Sequence, residues 1–312
     1  MRVKGTLLTA PSINPSSNSV EGPKNPSIVF VSMTNENESD FIKFMPCFQP
    51  LCFATWVIFI YRVNSTRIVV SDINLKADSD KEFFLIHGYT GSPTDFNELP
   101  MILHKEFNAN VKVMLLKGHG TDIQNLDNMT YKQLLDKVES EFQKSLKTKR
   151  KIVLGGICLG AQMAFYLASK YHVEGLFHAC MPYRLSFPFN IKGLKYLGIF
   201  RKYWRKRMSE NEKKLRQGTF HYKYMHVNGL EMVKESNKYI PDILKRVTCP
   251  VLTVHSKRDP LSSYKAMEEI EAHLGSRIKT TALLNNNNHN LFFSDERQKA
   301  YSSIVKFFKD RF

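Results

Sequence analysis

Short apolar runs alternate with longer amphipathic stretches from residue 82 to the C-terminus. The apolar runs lie at residues 82–87, 111–116, 151–157, 175–179, 251–255 and 279–284. Apolar side chains recur at helical spacing over residues 131–146, 159–170, 264–274 and 296–312. Strands that alternate with helices are typical of a mostly parallel sheet covered by helices on both faces. The pattern therefore predicts an α/β protein.

Residues 182–245 interrupt this alternation with helical, basic sequence. Because the segment follows one predicted strand and precedes another, we interpret it as a helical cap inserted into an α/β domain that spans residues 63–312. A chain of 312 residues is long enough for one large α/β domain with such an insertion.

The first 62 residues divide into a polar and an apolar segment. Twelve of the seventeen residues from 11 to 27 are Pro, Ser or Asn, so we predict a disordered polar tail over residues 1–45. Residues 46–62 contain an apolar run at 51–61, shorter than the roughly 20 residues of a membrane-spanning helix. This run is interpreted as a short membrane anchor, a signal-like segment, or a first strand that turns into a second one at 66–75. Whether the protein is cytoplasmic or attached to a membrane through residues 44–61 stays open.

The composition excludes several classes of protein. Apolar residues make up 43% of the chain and aromatic residues 12%, which excludes collagen, a disulfide scaffold and a wholly disordered chain. The cysteines are few, odd in number and irregularly spaced, and none is spaced with histidine like a zinc ligand. We therefore predict mostly reduced thiols, no metal and no cofactor. The five are Cys47, Cys52, Cys158, Cys180 and Cys249.

The net charge of +16 favours an anionic partner, and half of the excess lies in one segment. Residues 192–216 contain ten basic and two acidic residues. No nucleic-acid recognition motif accompanies them, so no nucleic-acid partner is expected. Apolar pairs spaced by about one helical turn between the basic residues predict an amphipathic helix that could bind an anionic membrane. The alternative is that these apolar residues pack the cap onto the core. The basic residues concerned are Arg201, Lys202, Arg205, Lys206 and Arg207.

The segment Gly156-Ile-Cys158-Leu-Gly160 joins a predicted strand to a predicted helix. It has the G-x-nucleophile-x-G pattern of a nucleophile elbow, a turn so tight that only glycine fits at the two flanking positions. The Cys158 side chain would point toward the helix N-terminus, where backbone N–H groups and the helix dipole favour a thiolate. The alternative is a buried structural cysteine at a glycine-rich strand end.

An activated nucleophile needs a base, and the base needs a carboxylate that orients it. Asp259 follows the predicted strand 251–255, and His289 lies in the loop after strand 279–284. The chain order Cys158, Asp259, His289 is the nucleophile–acid–base order expected with such an elbow. A helix N-cap for Asp259 and a surface loop position for His289 are the structural alternatives.

Acyl transfer also needs two N–H donors directed at the oxygen of the tetrahedral intermediate. We assign them to the backbone N–H of Tyr89, after the turn at His87-Gly88, and to that of Leu159, after Cys158. His87 is a second candidate base. Because it directly precedes the turn, we expect it to support the loop instead.

These residues resemble the α/β-hydrolase superfamily, and within it the carboxylesterase and monoacylglycerol lipase group. The resemblance runs from about residue 80 to the C-terminus. It includes Phe84-Leu-Ile-His-Gly-Tyr-Thr-Gly91, the loop Lys117-Gly-His-Gly-Thr-Asp122, the elbow, and spacings of 101 and 30 residues between the three site residues. It implies an α/β-hydrolase fold with a cap and hydrolysis of acyl esters or monoglycerides.

The sequence departs from that group at two positions. Cys158 stands where the group has serine, and Asn288 stands where glycine usually precedes the histidine. A cysteine elbow is similar to those of dienelactone hydrolases and polyhydroxyalkanoate synthases, but the cap and the spacing favour the esterase group. We therefore expect an acyl hydrolase for lipid-like esters or thioesters that uses Cys158, His289 and Asp259 and an acyl-thioester intermediate. An acyltransferase of similar mechanism and a catalytically silent scaffold with this fold are the alternatives.

Overall fold

A computed structural model describes residues 70–190, 202–286 and 288–312. The predicted polar tail, the apolar segment 46–62 and the first part of the strand predicted at 66–75 lie outside the described residues. Among the helices that the structure describes, none combines the length and the apolar composition needed to span a bilayer.

A seven-stranded, mostly parallel sheet forms the centre of the molecule, which confirms the predicted α/β fold class. The described strands are β1 Ile73–Leu75, β2 Lys81–Ile86, β3 Asn110–Met114, β4 Lys151–Ile157, β5 Gly175–Ala179, β6 Tyr203–Arg205, β7 Tyr224–His226, β8 Val251–Ser256 and β9 Lys279–Leu284. The order in the central sheet is β1-β3-β2-β4-β5-β8-β9, and only the edge pair β1–β3 is antiparallel. A separate two-stranded antiparallel sheet contains β6 and β7.

Helices cover both faces of the central sheet because its inner strands are apolar on both sides. Alternate residues of β2 show this: Phe84 and Ile86 pack with α2 and α3, whereas Phe83 and Leu85 pack with α1 and α8. The helices are α1 Leu99–Phe107, α2 Tyr131–Leu146, α3 Leu159–Lys170, α4 Glu210–Leu215, α5 Val227–Asn237, α6 Ile240–Lys245, α7 Ala266–His273 and α8 Arg297–Lys309.

The elements between β5 and β8 occupy the segment predicted as a helical cap. They include α4, α5 and α6, but also the small β6–β7 sheet. The predicted amphipathic basic helix is therefore wrong for Tyr203–Arg205, which form β6. In the β6–β7 sheet, Tyr203 pairs with His226. The Tyr203 hydroxyl donates to Asp127 at 2.6 Å. Helical periodicity in a short window cannot reveal pairing with a strand twenty residues away. Arg201 lies outside the described residues.

Candidate active site

The elbow at Cys158 lies between β4 and α3, and the backbone there is strained. Cys158 has φ 53° and ψ −120°, a conformation that residues other than glycine rarely adopt. A Cβ on Gly156 would lie 2.5 Å from the Gly160 carbonyl oxygen, and one on Gly160 would lie 2.2 Å from that of Ile86. Both positions therefore exclude any larger residue, and Cys158 is left 7% exposed at the end of the sheet.

The loop after β2 packs directly against the elbow. A Cβ on Gly88 would lie 3.1 Å from the Cys158 Cβ, so glycine allows the two segments to touch. Thr90 has φ 54°, and its N–H donates to His119 Nε2 at 3.1 Å. The N–H groups of Tyr89 and Leu159, the predicted oxyanion donors, make no hydrogen bond within the part of the chain that the structure describes. They remain available to a substrate oxygen.

His87 supports this loop through both ring nitrogens. Its Nε2 accepts from the Leu116 N–H at 3.1 Å, so Nδ1 carries the proton and donates to the Gly88 carbonyl at 2.8 Å. Burial lowers the pKa of His87, which keeps the ring neutral. A ring committed in this way cannot act as a base, which agrees with the supporting position expected from the sequence.

The structure brings His289 and Asp259 into direct contact. His289 Nδ1 lies 2.7 Å from Asp259 Oδ2, and its Nε2 is buried with no regular hydrogen bond to a described residue. Burial alone would lower the pKa of His289, but the charges of Asp259 and Cys158 outweigh it and raise the pKa well above its ordinary value. Because Nδ1 is occupied by Asp259, Nε2 is the ring atom left for the Cys158 thiol.

Asp259 is held by a network that uses both of its oxygens. Oδ1 accepts from the N–H of Leu261 at 2.7 Å and from that of Ser262 at 3.0 Å, and Oδ2 also accepts from the Ser262 hydroxyl at 2.9 Å. Burial would raise the pKa of Asp259, but His289 and the other donors lower it to about 2. The carboxylate is therefore charged, as an orienting group requires. His255 Nε2 lies 3.1 Å from the Ser262 hydroxyl and extends the network.

Cys180, at the end of β5, adds a second thiol beneath Asp259. It is fully buried, and burial together with the Asp259 charge raises its pKa well above the ordinary value. Donor atoms of Cys180, His255 and Asp259 lie within 4.8 Å of one another, close enough to face one metal ion. The Asp259 oxygens already accept from Leu261, Ser262 and His289, and Cys180 and His255 surround the same carboxylate.

Comparison with solved structures gives the same architecture over most of the chain. One of the metagenome-derived lipolytic enzymes LipS and LipT matches with TM-score 0.68 and 18% identity, covering 78% of this chain and 99% of its own. The monoacylglycerol lipase of Paleococcus ferrophilus gives TM-score 0.64, 14% identity and coverages of 77% and 98%. The monoglyceride lipase of Saccharomyces cerevisiae gives TM-score 0.59 and 12% identity, and the match covers 82% of this chain and 99% of the lipase. The chain has an α/β-hydrolase fold. No protein-family model and no curated protein matches the sequence.

Residues between β5 and β8 contact the site in this hydrolase fold through a buried ion pair. Arg216 is 7% exposed, and its Nη1 donates to Asp95 Oδ1 at 2.8 Å while its Nε donates to Glu212 Oε1 at 2.9 Å. Its guanidinium carbon lies 4.0 Å from the centroid of the Phe293 ring. Glu212 also accepts from the Asn288 amide at 3.1 Å. The segment is thus tied to the loop that carries His289.

The basic residues predicted for a membrane surface point in different directions. Arg205 and Arg207 are exposed. Lys202 lies 3.3 Å from Asp127 Oδ2. Lys206 turns inward, and its ammonium donates to the Thr90 carbonyl at 2.7 Å. Lys206 is thus less exposed than Arg205 and Arg207, and its ammonium is already bound to the loop after β2.

Sequence reasoning missed three residues around the site. Ser262 follows Asp259 by three positions, the spacing of a local hydrogen bond to an Asp side chain, and this signal was available. Cys180 ends a parallel strand beside Cys158, which was a weaker signal. Nothing in the local sequence distinguishes Lys206 from its exposed neighbours, because the turn of β6 toward the core depends on its pairing with β7.

Proposed function

We propose that the protein is an acyl hydrolase that cleaves carboxylic esters or thioesters through Cys158, His289 and Asp259. The observation that carries this proposal is the position of the His289 ring, with Nδ1 on the Asp259 carboxylate and the thiol at the elbow left for Nε2. The structural neighbours include lipolytic enzymes, which favours an ester bond as the target.

In the first half of the reaction, the Cys158 thiolate attacks the substrate carbonyl carbon while protonated His289 stays beside it. A C–S bond forms, and the carbonyl oxygen becomes an oxyanion that accepts from the N–H groups of Tyr89 and Leu159. The bond to the leaving alcohol or thiol then breaks, and His289 Nε2 donates its proton to that group. The product is an acyl-thioester on Cys158.

In the second half, neutral His289 takes a proton from water, and the water oxygen attacks the thioester carbonyl. The new C–O bond replaces the C–S bond, the acid leaves, and Cys158 returns as a thiolate beside protonated His289. Asp259 keeps the same ring orientation and stabilises the imidazolium. Because a thiolate is a good leaving group, an oxygen ester can revert to substrate, which favours thioesters and activated esters.

Intact-mass spectrometry during exposure to p-nitrophenyl esters and acyl-CoA thioesters tests this proposal. We expect one acyl adduct, located on Cys158, in the wild-type protein. Cys158→Ala should abolish the adduct and turnover, and Cys158→Ser should retain some esterase activity. Cys249→Ser is the matched control, because burial raises the pKa of Cys249 to about 12 and leaves it unreactive.

The same experiment distinguishes the alternatives. An acyltransferase would form the adduct, and an added alcohol or amine would discharge it faster than water does. A silent scaffold would form no adduct with any donor. An adduct that persists in the Cys158→Ala protein would contradict the assignment of the nucleophile.

We also propose that exposed Arg205 and Arg207 bring the protein to anionic lipid surfaces. The net charge of +16 supports this, and each basic residue near such a surface contributes about 1 kcal/mol. Co-sedimentation of the full chain with phosphatidylserine-containing vesicles should weaken with salt and with Arg205→Ala/Arg207→Ala. Lys147→Ala, an exposed change at the C-terminal end of α2, should have no effect. Failure to bind these vesicles at low salt would contradict the proposal.

A further inference from the structure

Lys206 is a partly buried cation whose ammonium has no anionic partner among the residues that the structure describes. Its ammonium donates to one neutral acceptor, the Thr90 carbonyl, and forms no ion pair with any residue that the structure describes. Burial lowers the pKa of Lys206 to about 8. Charged groups inside proteins are normally paired, because a carboxylate or phosphate compensates the lost hydration. Two of the three N–H donors of this ammonium are left without such a group.

The carboxylates near Lys206 are already committed to another cation. Asp95 and Glu212 influence the Lys206 charge, but both form ion pairs with the buried Arg216 guanidinium. Two carboxylates therefore balance the charge of two cations, but both contact Arg216. The Lys206 ammonium is left without a carboxylate in direct contact.

The Lys206 ammonium lies at the reacting end of the molecule. Its acceptor, Thr90, directly follows Tyr89, the proposed oxyanion donor. A thiolate at Cys158 is close enough to raise the Lys206 pKa, and the ammonium contributes to lowering the pKa of the neighbouring histidines. The charged and titratable groups that face it are Cys158, Asp95, Glu212, Arg216, His87, His119 and His221.

We propose that Lys206 is a specificity-determining residue that binds an anionic group of the substrate. The substrate class is an ester or thioester that carries a carboxylate on its acyl chain or on its leaving group. This inference rests on the proposed function for the reaction, and on the unpaired ammonium for the substrate class. A neutral acyl chain would leave the lysine as it stands, whereas a carboxylate would supply the missing acceptor.

Matched pairs of substrates test the inference and locate the anion. Mono-p-nitrophenyl adipate and p-nitrophenyl hexanoate have the same acyl length and differ in a terminal carboxylate. The pair 4-acetoxybenzoate and methyl 4-acetoxybenzoate places the charge on the leaving group. We expect kcat/KM to favour the anionic member of one pair by about 10- to 100-fold, the range of a charge-assisted hydrogen bond.

Two variants separate the lysine from the general positive charge of the protein. Lys206→Met should remove the preference, lowering kcat/KM for the anionic ester at least about 10-fold more than for its neutral partner, and Lys206→Arg should restore part of it. Lys223→Met is the matched control: its backbone pairs with that of Lys206, but its side chain is exposed. This control should keep the full preference. Equal losses on charged and neutral esters with Lys206→Met would overturn the inference.

The pH dependence of the preference gives a readout that does not depend on any variant. Lys206 is charged below about pH 8 and neutral above it, so the ratio of the two kcat/KM values should fall as the pH rises through about 8. Changes in the reacting groups themselves affect both substrates and cancel in the ratio. A wild-type protein without a preference below pH 8 would overturn the inference even if it hydrolyses both esters.

A binding measurement distinguishes failure of this inference from failure of the proposed reaction. Monomethyl adipate and methyl hexanoate can be titrated into the Cys158→Ala protein by calorimetry. Binding that favours the acid and is lost in Cys158→Ala/Lys206→Met, without any turnover by the wild type, would keep the lysine site and reject the reaction. Turnover with equal affinity for both ligands would keep the reaction and reject the lysine site.

Discussion

Three residues around the proposed nucleophile hold left-handed backbone conformations without being glycine. Thr90, Cys158 and Cys180 have φ values of 54°, 53° and 46°. Each such conformation costs about 1–3 kcal/mol and persists only where surrounding contacts impose it. The His119 ring holds Thr90, and the Ala179 carbonyl accepts from the Cys158 N–H at 3.0 Å. Backbone strain in three segments that meet at Cys158 is typical of a functional site.

The Asp259 carboxylate should be needed for turnover. Asp259→Asn keeps the shape but presents an amide N–H where the Nδ1–H of His289 needs an acceptor, so the ring loses its orientation. We expect kcat to fall about 10³- to 10⁴-fold. The loss should be no larger in Asp259→Asn/His289→Ala than in His289→Ala, because the two residues act as a unit.

Asp242→Asn is the control for this prediction. Asp242 is a mostly exposed carboxylate that pairs with Lys245, and its loss should leave kcat unchanged. Stopped-flow release of p-nitrophenol measures the wild type and the four variants. An Asp259→Asn protein close to wild type would show that another group orients His289.

The positions of Cys158, Asp259 and His289 at strand ends could be predicted from the sequence because each has a strong local signal, whereas their roles as a triad belong to the proposed function. Glycine spacing marks Cys158, and the loops after β8 and β9 carry Asp259 and His289. The contact of Cys180 with Asp259 and the inward turn of Lys206 depend on packing between segments far apart in sequence, whereas the Ser262–Asp259 contact is local. Local patterns do not encode such packing.

At the scale of elements, prediction succeeded where buried strands and amphipathic helices are long. The bounds predicted for β4, β5, β9, α2 and α3 match the structure, and β2, β3, β8, α7 and α8 differ by a few residues at their ends. The strands in the segment between β5 and β8 are harder to predict from the sequence. Its strands have three residues each, too few for a periodic signal, and they form through pairing with each other.

The junction of β4 with α3 should not tolerate a methyl group at Gly160. Alanine is the better helix former by about 1 kcal/mol, but its Cβ would lie 2.2 Å from one backbone oxygen and 2.5 Å from another. Because both oxygens belong to the backbone of β2 and the loop after it, they cannot move away without distorting the sheet. The cost of the clash should therefore exceed the gain in helix propensity. We expect Gly160→Ala to lower the free energy of unfolding by about 3 kcal/mol or more, measured by urea denaturation.

Ser169→Ala, in the last turn of the same helix, is the control. It removes one hydroxyl that donates to the Tyr166 carbonyl, so its effect should stay within about 1 kcal/mol. If Gly160→Ala were as stable as this control, the close approach of α3 to β2 would be wrong.

At the scale of the whole molecule, the balance of buried charge sets the response to acid. Burial lowers the pKa of six histidines, and for His178 the pKa falls to about 3. A histidine whose folded pKa lies below its unfolded value of about 6.5 destabilises the fold as the pH falls below 6.5, because only the unfolded chain takes the proton. The six are His87, His119, His178, His221, His226 and His255.

The proposed triad responds in other pH ranges. The raised pKa of His289 adds stability that is complete below about pH 6.5 and is lost as the pH rises through its folded value. The lowered pKa of Asp259 adds stability that is present above about pH 4 and is lost as the pH falls toward about 2. Neither group changes the slope of the free energy of unfolding against pH between about pH 6.5 and 5. In that window we therefore expect the six histidines to determine the slope.

The free energy of unfolding should therefore fall by several kcal/mol between about pH 6.5 and pH 5, since each fully neutral buried histidine contributes up to about 1.4 kcal/mol per pH unit. His178→Gln should reduce that slope by about 1.4 kcal/mol per pH unit, although the variant is less stable at neutral pH because the bond to the Thr253 hydroxyl is altered. His172→Gln, at a side chain that is 91% exposed, should leave the slope as it is. Urea titrations at several pH values measure all three proteins. A wild-type stability that stays constant across this window would mean that the buried imidazoles are protonated in the folded protein, and the neutral loop support assigned to His87 and His119 would then be wrong.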